Sequence, residues 1–596
     1  MTPAVSRLFS FLLVACFDSS FSRWAQPYHG AGAAHHDTYN SALPVLAATP
    51  WALVPVFTAM SCSANKSEIQ LSRIGVGLKC APGERCSTFV PQRRLVLSPR
   101  IEQLVCETAS VARAPVSLHL HFGEEVCAAV RPRILYAVRV FAAIYGYQVA
   151  EAHQSTDVRI FYSEKPPAIA YSQGVWVPAR YHAELPPPCD LELTRREYAG
   201  ENFALFFGVD RNTKNPDWLG EIFEWLSCSH ERRITQRDAI GRIPYAHSVF
   251  AQQHISPRKP HASLLMAWLQ NEIVNPGGTE SLPKPASPAP DAWHLVVCSH
   301  DVDFYFTSKS SALVRLLKNL VIACQAYHSW SFFTWNALQL FRVVAGKRVG
   351  EYLGPLCRAS QEYDFRSTIF AVSNRRHRRD PNYDLAELAP DLKSCAENGF
   401  SIGLHGSYES VTEKSSLLQE LAAMQKSLGT KPLGTRQHWL RLGGHQSFFD
   451  TIESAGLVYD STLGFAEVAG FRNGACFAFP PYDFKREQPY PFLEIPLVLM
   501  DGNVEAAARL SGENADAIAE EILAESRRWG WGGIAADWHN PTEPIQVPDE
   551  INQIFWRQVR NQKSNGERWV SAEEFIACCL RRYQGAGLLR DVRLDA

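Results

Sequence analysis

The chain is expected to fold as an α/β protein in which a deformed (β/α) barrel follows a smaller α/β domain. Three observations carry this expectation. Beyond residue 290, short apolar strand-like runs alternate with helix-like stretches. Chemistry-bearing polar residues stand directly after those runs, where a barrel opens its catalytic face. A Pro/Gly-rich stretch at 275–290 separates this pattern from a different one upstream.

In the C-terminal half, 294–298, 367–372, 400–404 and 533–536 read as strands. The stretches 385–397, 415–427 and 572–582 read as helices, so residues 291–590 form the barrel domain. Upstream, 133–144, 217–228 and 262–273 have helical apolar spacing, while 157–162 and 202–209 read as strands, which makes 115–274 an α/β domain with no recognisable chemistry. The 275–290 segment holds Asn275-Pro276-Gly277-Gly278 and prolines at 283, 285, 288 and 290, a linker composition. Residues 1–110 carry no periodic pattern and are expected to be partly disordered. Between the first strand of the barrel and the next lies an insertion, 304–364, whose apolar, weakly basic stretches 313–323 and 335–344 read as packed helices rather than a lid or a membrane contact.

Composition excludes several classes of function. Of 596 residues, 46% are hydrophobic and 20% charged, enough for sizeable cores. Net charge is −2, with 59 basic against 61 acidic residues, so no global field draws the chain to nucleic acid. The 15 cysteines include the Cys80, Cys86 and Cys106 region and the adjacent Cys578 and Cys579, but form no repeated CxxC pair; reduced thiols in the cytoplasm fit this pattern. A cell-envelope alternative comes from the run 8–16, which ends Leu13-Val14-Ala15-Cys16 like a lipoprotein signal. The apolar stretch 42–60 is broken by Pro44, Pro50 and Pro55, and no run approaches the ~20 apolar residues of a spanning helix. Oligomeric state is not legible.

Four segments carry candidate chemistry. Leu295-Val296-Val297 leads into Ser299-His300-Asp301-Val302-Asp303, and strand alternation places Asp301 and Asp303 on one side. Phe400-Ser401-Ile402-Gly403-Leu404 delivers His405-Gly406-Ser407-Tyr408-Glu409 in the same way. Gly434-Thr435-Arg436-Gln437-His438-Trp439-Leu440-Arg441 supplies two guanidiniums and an imidazole, and Trp538-His539-Asn540 follows the late strand. Together these residue types fill the roles of amide hydrolysis: a metal or donor for the carbonyl, a base for water and an acid for the leaving amine.

In this order the segments resemble the polysaccharide deacetylase (NodB-homology) family of carbohydrate esterases, over roughly residues 293–583. The resemblance implies a barrel of that family's type acting on an N-acetylated glycan or cell-envelope polysaccharide, with Asp301 as base, Asp303 and His405 as metal ligands, Arg436 orienting the base and His539 as acid. It implies a divalent cofactor, zinc first, with cobalt, nickel or manganese as alternatives. Glu409 stands where the family has its second metal histidine, so it is taken as the third ligand; a catalytically silent carbohydrate-binding homologue is the alternative this substitution opens. An amidohydrolase acting on a non-sugar C–N bond is another. The segment Asp460-Ser461-Thr462-Leu463-Gly464-Phe465, on through Gly470-Phe471-Arg472, is similar to the family's groove loop, with Glu494 and Asp501 behind it. His438, Arg441, Arg472, Asp501 and Trp538 are the expected substrate contacts.

Overall fold

The structure, a computed structural model, describes the backbone of Arg93–Val96 and residues 116–595, apart from 150–157, 168–173, 290–291, 306–308, 348, 382, 412, 543 and 591. The lipoprotein-like run, the 42–60 stretch and the Cys80, Cys86 and Cys106 region lie outside the described residues. Those described belong to one compact unit.

The barrel is a curled parallel sheet. Its strands are β1 His294–Val302, β2 Thr368–Ala371, β3 Ser401–Gly406, β4 Gly434–Gln437, β5 Tyr459–Asp460, β6 Leu493–Glu494, β7 Leu497–Met500, β8 Gly532–Asp537 and β9 Glu567–Val570. Their spatial order is β6-β5-β4-β3-β2-β1-β8-β7, with β9 also beside β1. The two edge strands are consecutive pieces of one segment. Residues 493–494 pair with β5, the chain passes Ile495-Pro496, and 497–500 pair with β8, so the sheet curls until its edges meet in a single stretch of chain. All nine residues of β1 are buried, as expected of a strand covered on both faces. The expected strand at 294–298 therefore runs four residues further and carries Asp301 inside it.

Helices Leu385–Glu397, Lys414–Leu428 and Ala572–Gly585 fall where apolar spacing places them. The first is capped by Asp384 and the third by a reciprocal Ser571 and Glu574 box. The insertion forms the helices Lys309–Ile322, Trp330–Val344 and Leu353–Tyr363, the first two longer than their apolar stretches suggested.

Residues 116–274 build the smaller α/β layer. Strands Ser117–Phe122, Val158–Ser163 and Gly174–Pro178 run parallel, and the hairpin Thr194–Tyr198 with Glu201–Leu205 lies beyond them. Helix Trp218–Ser227 is buried along almost its whole length, so the carboxylates of its N-cap and first turn need internal partners. Asp217 receives the Gly220 amide at 2.8 Å and the Tyr162 hydroxyl at 2.6 Å, and Glu221 receives the amides of Phe206 and Phe207. This layer shares one continuous buried core with the barrel. Tyr136 donates to the Pro480 carbonyl, Trp531 to that of Ile144, and Arg472 forms a two-pronged ion pair with Glu231.

Candidate active site

Of the side chains singled out in the sequence, Asp301, Asp303, His405, Arg436, His438 and His539 converge at the C-terminal ends of β1, β3, β4 and β8. Arg436 organises the floor. Its side chain is fully buried, and one guanidinium nitrogen lies 2.9 Å from Asp301 Oδ1, 2.6 Å from Asp537 Oδ1 and 2.8 Å from Ser299 Oγ. The other nitrogens reach the Ser461 carbonyl and hydroxyl, and the Phe370 ring lies 4.6 Å beneath the guanidinium carbon. Gly403 on β3 makes room for that ring, since a Cβ there would collide with Phe370.

Above the floor, Asp303, His405 and His438 bring one donor atom each within 4.8 Å of one another. His405 Nδ1 sits 3.0 Å from the Arg436 carbonyl, which fixes that nitrogen as the protonated one and turns Nε2 toward Asp303, 3.4 Å away. His438 Nε2 is 3.6 Å from the same carboxylate, and its Nδ1 faces Asp380 at 3.9 Å. The turn that aims His438 is built from Trp439 and Leu440, both in the left-handed region at φ 66 and φ 52, a strain of about 1–3 kcal/mol each that marks positions held by their surroundings. Asp303 Oδ1 is buried without a hydrogen-bond partner. An orphaned carboxylate oxygen facing two imidazole nitrogens is a donor set that fits a divalent cation. A second group, Asp301, Asp537 and His539, has similar spacing, but Arg436 already stands between its carboxylates, so a cation is better accommodated in the first.

His539 closes the far side. Its Nδ1 is 2.9 Å from Asp501, whose other oxygen accepts the His539 amide, leaving Nε2 directed toward Asp303 at 3.7 Å. Burial disfavours its charge, but Asp501, Asp537 and Asp303 more than compensate and hold the imidazole well above its usual range. Burial opposes ionisation of Asp301 too, yet Arg436, His405 and His539 keep its carboxyl below the usual value. Asp537 goes the other way, pushed up to about 8 by burial and by the Asp301 charge.

Several expected residues stand elsewhere. Glu409 is not in the cation group: it lies partly exposed beyond the end of β3, and His438, expected to touch substrate, occupies the third place. Trp538 is sealed from solvent and donates to the Ile551 carbonyl. Arg472 is buried against Glu231, and Arg441 lies on the Tyr408 ring at 3.8 Å and donates to the Ile240 carbonyl. Asp501 holds His539. Asp537 and Asp380 were not singled out. Alternation from His539 back to Asp537 was the available signal for the first, whereas nothing in the order of residues links Asp380 to His438.

Behind Arg436, Asp460 and Glu494 form a buried carboxyl pair on β5 and β6, with Thr462 donating to Asp460 and the Leu463 amide to Glu494. Burial raises Asp460 to about 6, and burial together with the Asp460 charge raises Glu494 well above the carboxylate range. Protons that the fold retains are lost by the unfolded chain above about pH 4, so the pair's contribution is complete below that pH and declines as pH rises through 6. Glu494→Gln keeps the acceptor for Leu463 and offers a donor to Asp460. It is expected to stabilise the protein against the parent by on the order of 1–3 kcal/mol near pH 8 and to lose that advantage near pH 5, as thermal midpoints would show.

Solved structures similar to this chain include a polysaccharide deacetylase from Mycobacterium smegmatis, 15% identical, covering 52% of this chain and 96% of its own with a TM-score of 0.31. A polysaccharide deacetylase from Bacillus cereus is 14% identical over 38% of this chain and 87% of its own, TM-score 0.23. A peptidoglycan deacetylase from Bdellovibrio bacteriovorus is 13% identical over 48% and 54%, TM-score 0.23. No protein-family model matches the chain, and no curated protein matches it in sequence. At these identities and scores, the chemistry has to be argued from the side chains.

Proposed function

We propose that this chain is a metal-dependent hydrolase that removes an N-acetyl or related acyl group from a carbohydrate. One observation carries the reading: Asp303, His405 and His438 meet at one point beside Asp301, the carboxylate that Arg436 fixes. A divalent ion held by those three, zinc suiting two imidazoles and a carboxylate best, with cobalt, nickel or manganese as alternatives, would supply Lewis acidity to the acyl carbonyl and to the attacking water.

The remaining roles follow from hydrogen bonds. Asp301 takes the proton of the water: Arg436 binds one carboxylate oxygen and the other faces His405 at 3.8 Å. His539 donates to the departing nitrogen, because Asp501 holds its Nδ1 and directs Nε2 into the cleft. An amine leaves poorly unless it is protonated, so an imidazole kept charged by three carboxylates suits cleavage of a C–N bond. The carbohydrate rests on the motif resemblance.

The test combines metal content with acetate release. The purified chain is expected to carry about one divalent ion and to release acetate from N-acetylglucosamine oligomers or peptidoglycan fragments, with chelation abolishing release and zinc restoring it. Less than about a tenth of an equivalent, without rescue, would replace this reading by a silent carbohydrate-binding protein. Turnover of small cyclic amides, with no acetate from glycans, would replace it by a non-sugar amidohydrolase.

A further inference from the structure

The hairpin of helices Lys309–Ile322 and Trp330–Val344 rises from the end of β1, and its second helix is amphipathic in the inverse sense. The inward face carries Asn336 and Gln339, both fully buried, beside Phe332 and Val343. Asn336 accepts from Asn319, whose amide also reaches the Ile545 carbonyl, and the Gln339 side-chain carbonyl accepts from Arg342, so these inward polar groups find partners within the fold. The outward face carries Trp330, Phe341, Val344 and Leu338 at 75, 69, 64 and 53% exposure, with Phe333 stacked on Trp330. Val314 on the first helix adds a further exposed side chain at 70%. Of the nine large hydrophobics most exposed among the described residues, five sit on this hairpin. Single exposed apolar residues are ordinary; this concentration is not.

Charge points to the occupant. Residues 304–350 contain Lys309, Arg315, Lys318, Arg342, Lys347 and Arg348 and neither aspartate nor glutamate, in a chain whose acids slightly outnumber its bases. Lys309, Lys318, Arg342 and Lys347 are exposed around the apolar face. We propose that this hairpin docks on an anionic lipid surface, with Trp330, Phe333 and Phe341 at the boundary of headgroups and acyl chains and the basic side chains against lipid phosphates. A second copy of the chain, meeting the same patch about a two-fold axis, would set these cations against one another. The helices have 14 and 15 residues, short of the ~20 needed to span, and among the described residues no helix is long and apolar enough to cross a membrane. The contact is therefore interfacial. Phe304 adjoins Asp303 and lies 3.9 Å beneath the Arg315 guanidinium, so a docked hairpin holds the rim of the site near the bilayer.

The test is vesicle flotation of the full chain with phosphatidylcholine alone and with added phosphatidylglycerol. Binding to the anionic vesicles is expected to exceed that to the neutral ones by about tenfold and to weaken with salt. The double variant Trp330→Ser with Phe341→Ser, checked for an unchanged thermal midpoint, is expected to lose about tenfold or more. Lys318→Glu with Lys347→Glu should remove the preference for anionic lipid. No binding to either vesicle, or equal binding by parent and aromatic variant, overturns the proposal. So does a dimer, seen by light scattering, that the aromatic variant dissociates without any vesicle binding. The readout is independent of hydrolysis, so its failure leaves the proposed chemistry standing.

Discussion

Asp301→Asn is expected to leave the cation site filled while lowering kcat by about 10²–10⁴-fold, with little change in KM. The amide keeps the shape of the side chain and an oxygen for Arg436, but it cannot accept a proton from water at any accessible pH. Asp301 lies outside the group formed by Asp303, His405 and His438, so metal content should match the parent. A second readout separates loss of a base from general damage. The Asp301 charge is, after burial, the largest cause of the raised Asp537 pKa, so its removal should let Asp537 titrate lower. Carboxyl NMR, or infrared titration of the parent and variant, would follow that shift. Loss of the metal together with activity would mean that Asp301 is itself a ligand and that the division of labour between the two aspartates is wrong.

The strand ends were legible because short apolar runs stop at polar residues in β1 and β3, and alternation along β1 aligns Asp301 with Asp303. What the order of residues does not display is lateral pairing. Glu409 was read as a ligand because it stands where the family that the motifs resemble has its second metal histidine. In the fold, the third donor comes from the adjacent strand instead: register pairs His405 with Arg436, which brings His438, two residues further, up beside the His405 ring. Arg472 was taken as a substrate contact from the groove-loop segment, and Trp538 from its place beside His539 after the late strand. Their burial depends on Glu231, 241 positions away from Arg472, and on the helix Asp549–Asn561, neither of which is local. The stretch 335–344, part of the helix Trp330–Val344, was read as packed from its apolar helical character. Spacing does show two faces there, but not that Asn336 and Gln339 take the inner one.

The comparison of His438→Ala with Glu409→Gln decides which residue completes the cation site. His438→Ala is expected to weaken zinc binding by more than about 100-fold, since even partners one bond removed from a metal are worth 10–100-fold. Glu409→Gln should bind like the parent, because its side chain stands outside the group. The effect of His438→Ala should not be a folding defect: the ring stands on the short 3-10 turn His438–Leu440 just past β4, outside the apolar core, and its neighbour Asp380 keeps other partners, accepting the amides of Arg376, His377 and Tyr408. Competition with a chromogenic chelator measures both variants on one scale. Asp380→Asn gives a graded third point. It removes the charge facing His438 Nδ1, and about tenfold weaker binding is expected, intermediate between the other two. If Glu409→Gln fell to the level expected of His438→Ala while His438→Ala held its metal, the cation would have to sit further out along β3 than Asp303 reaches. Asp303, its Oδ1 lacking any hydrogen-bond partner, would then be a buried charge without a function to justify it.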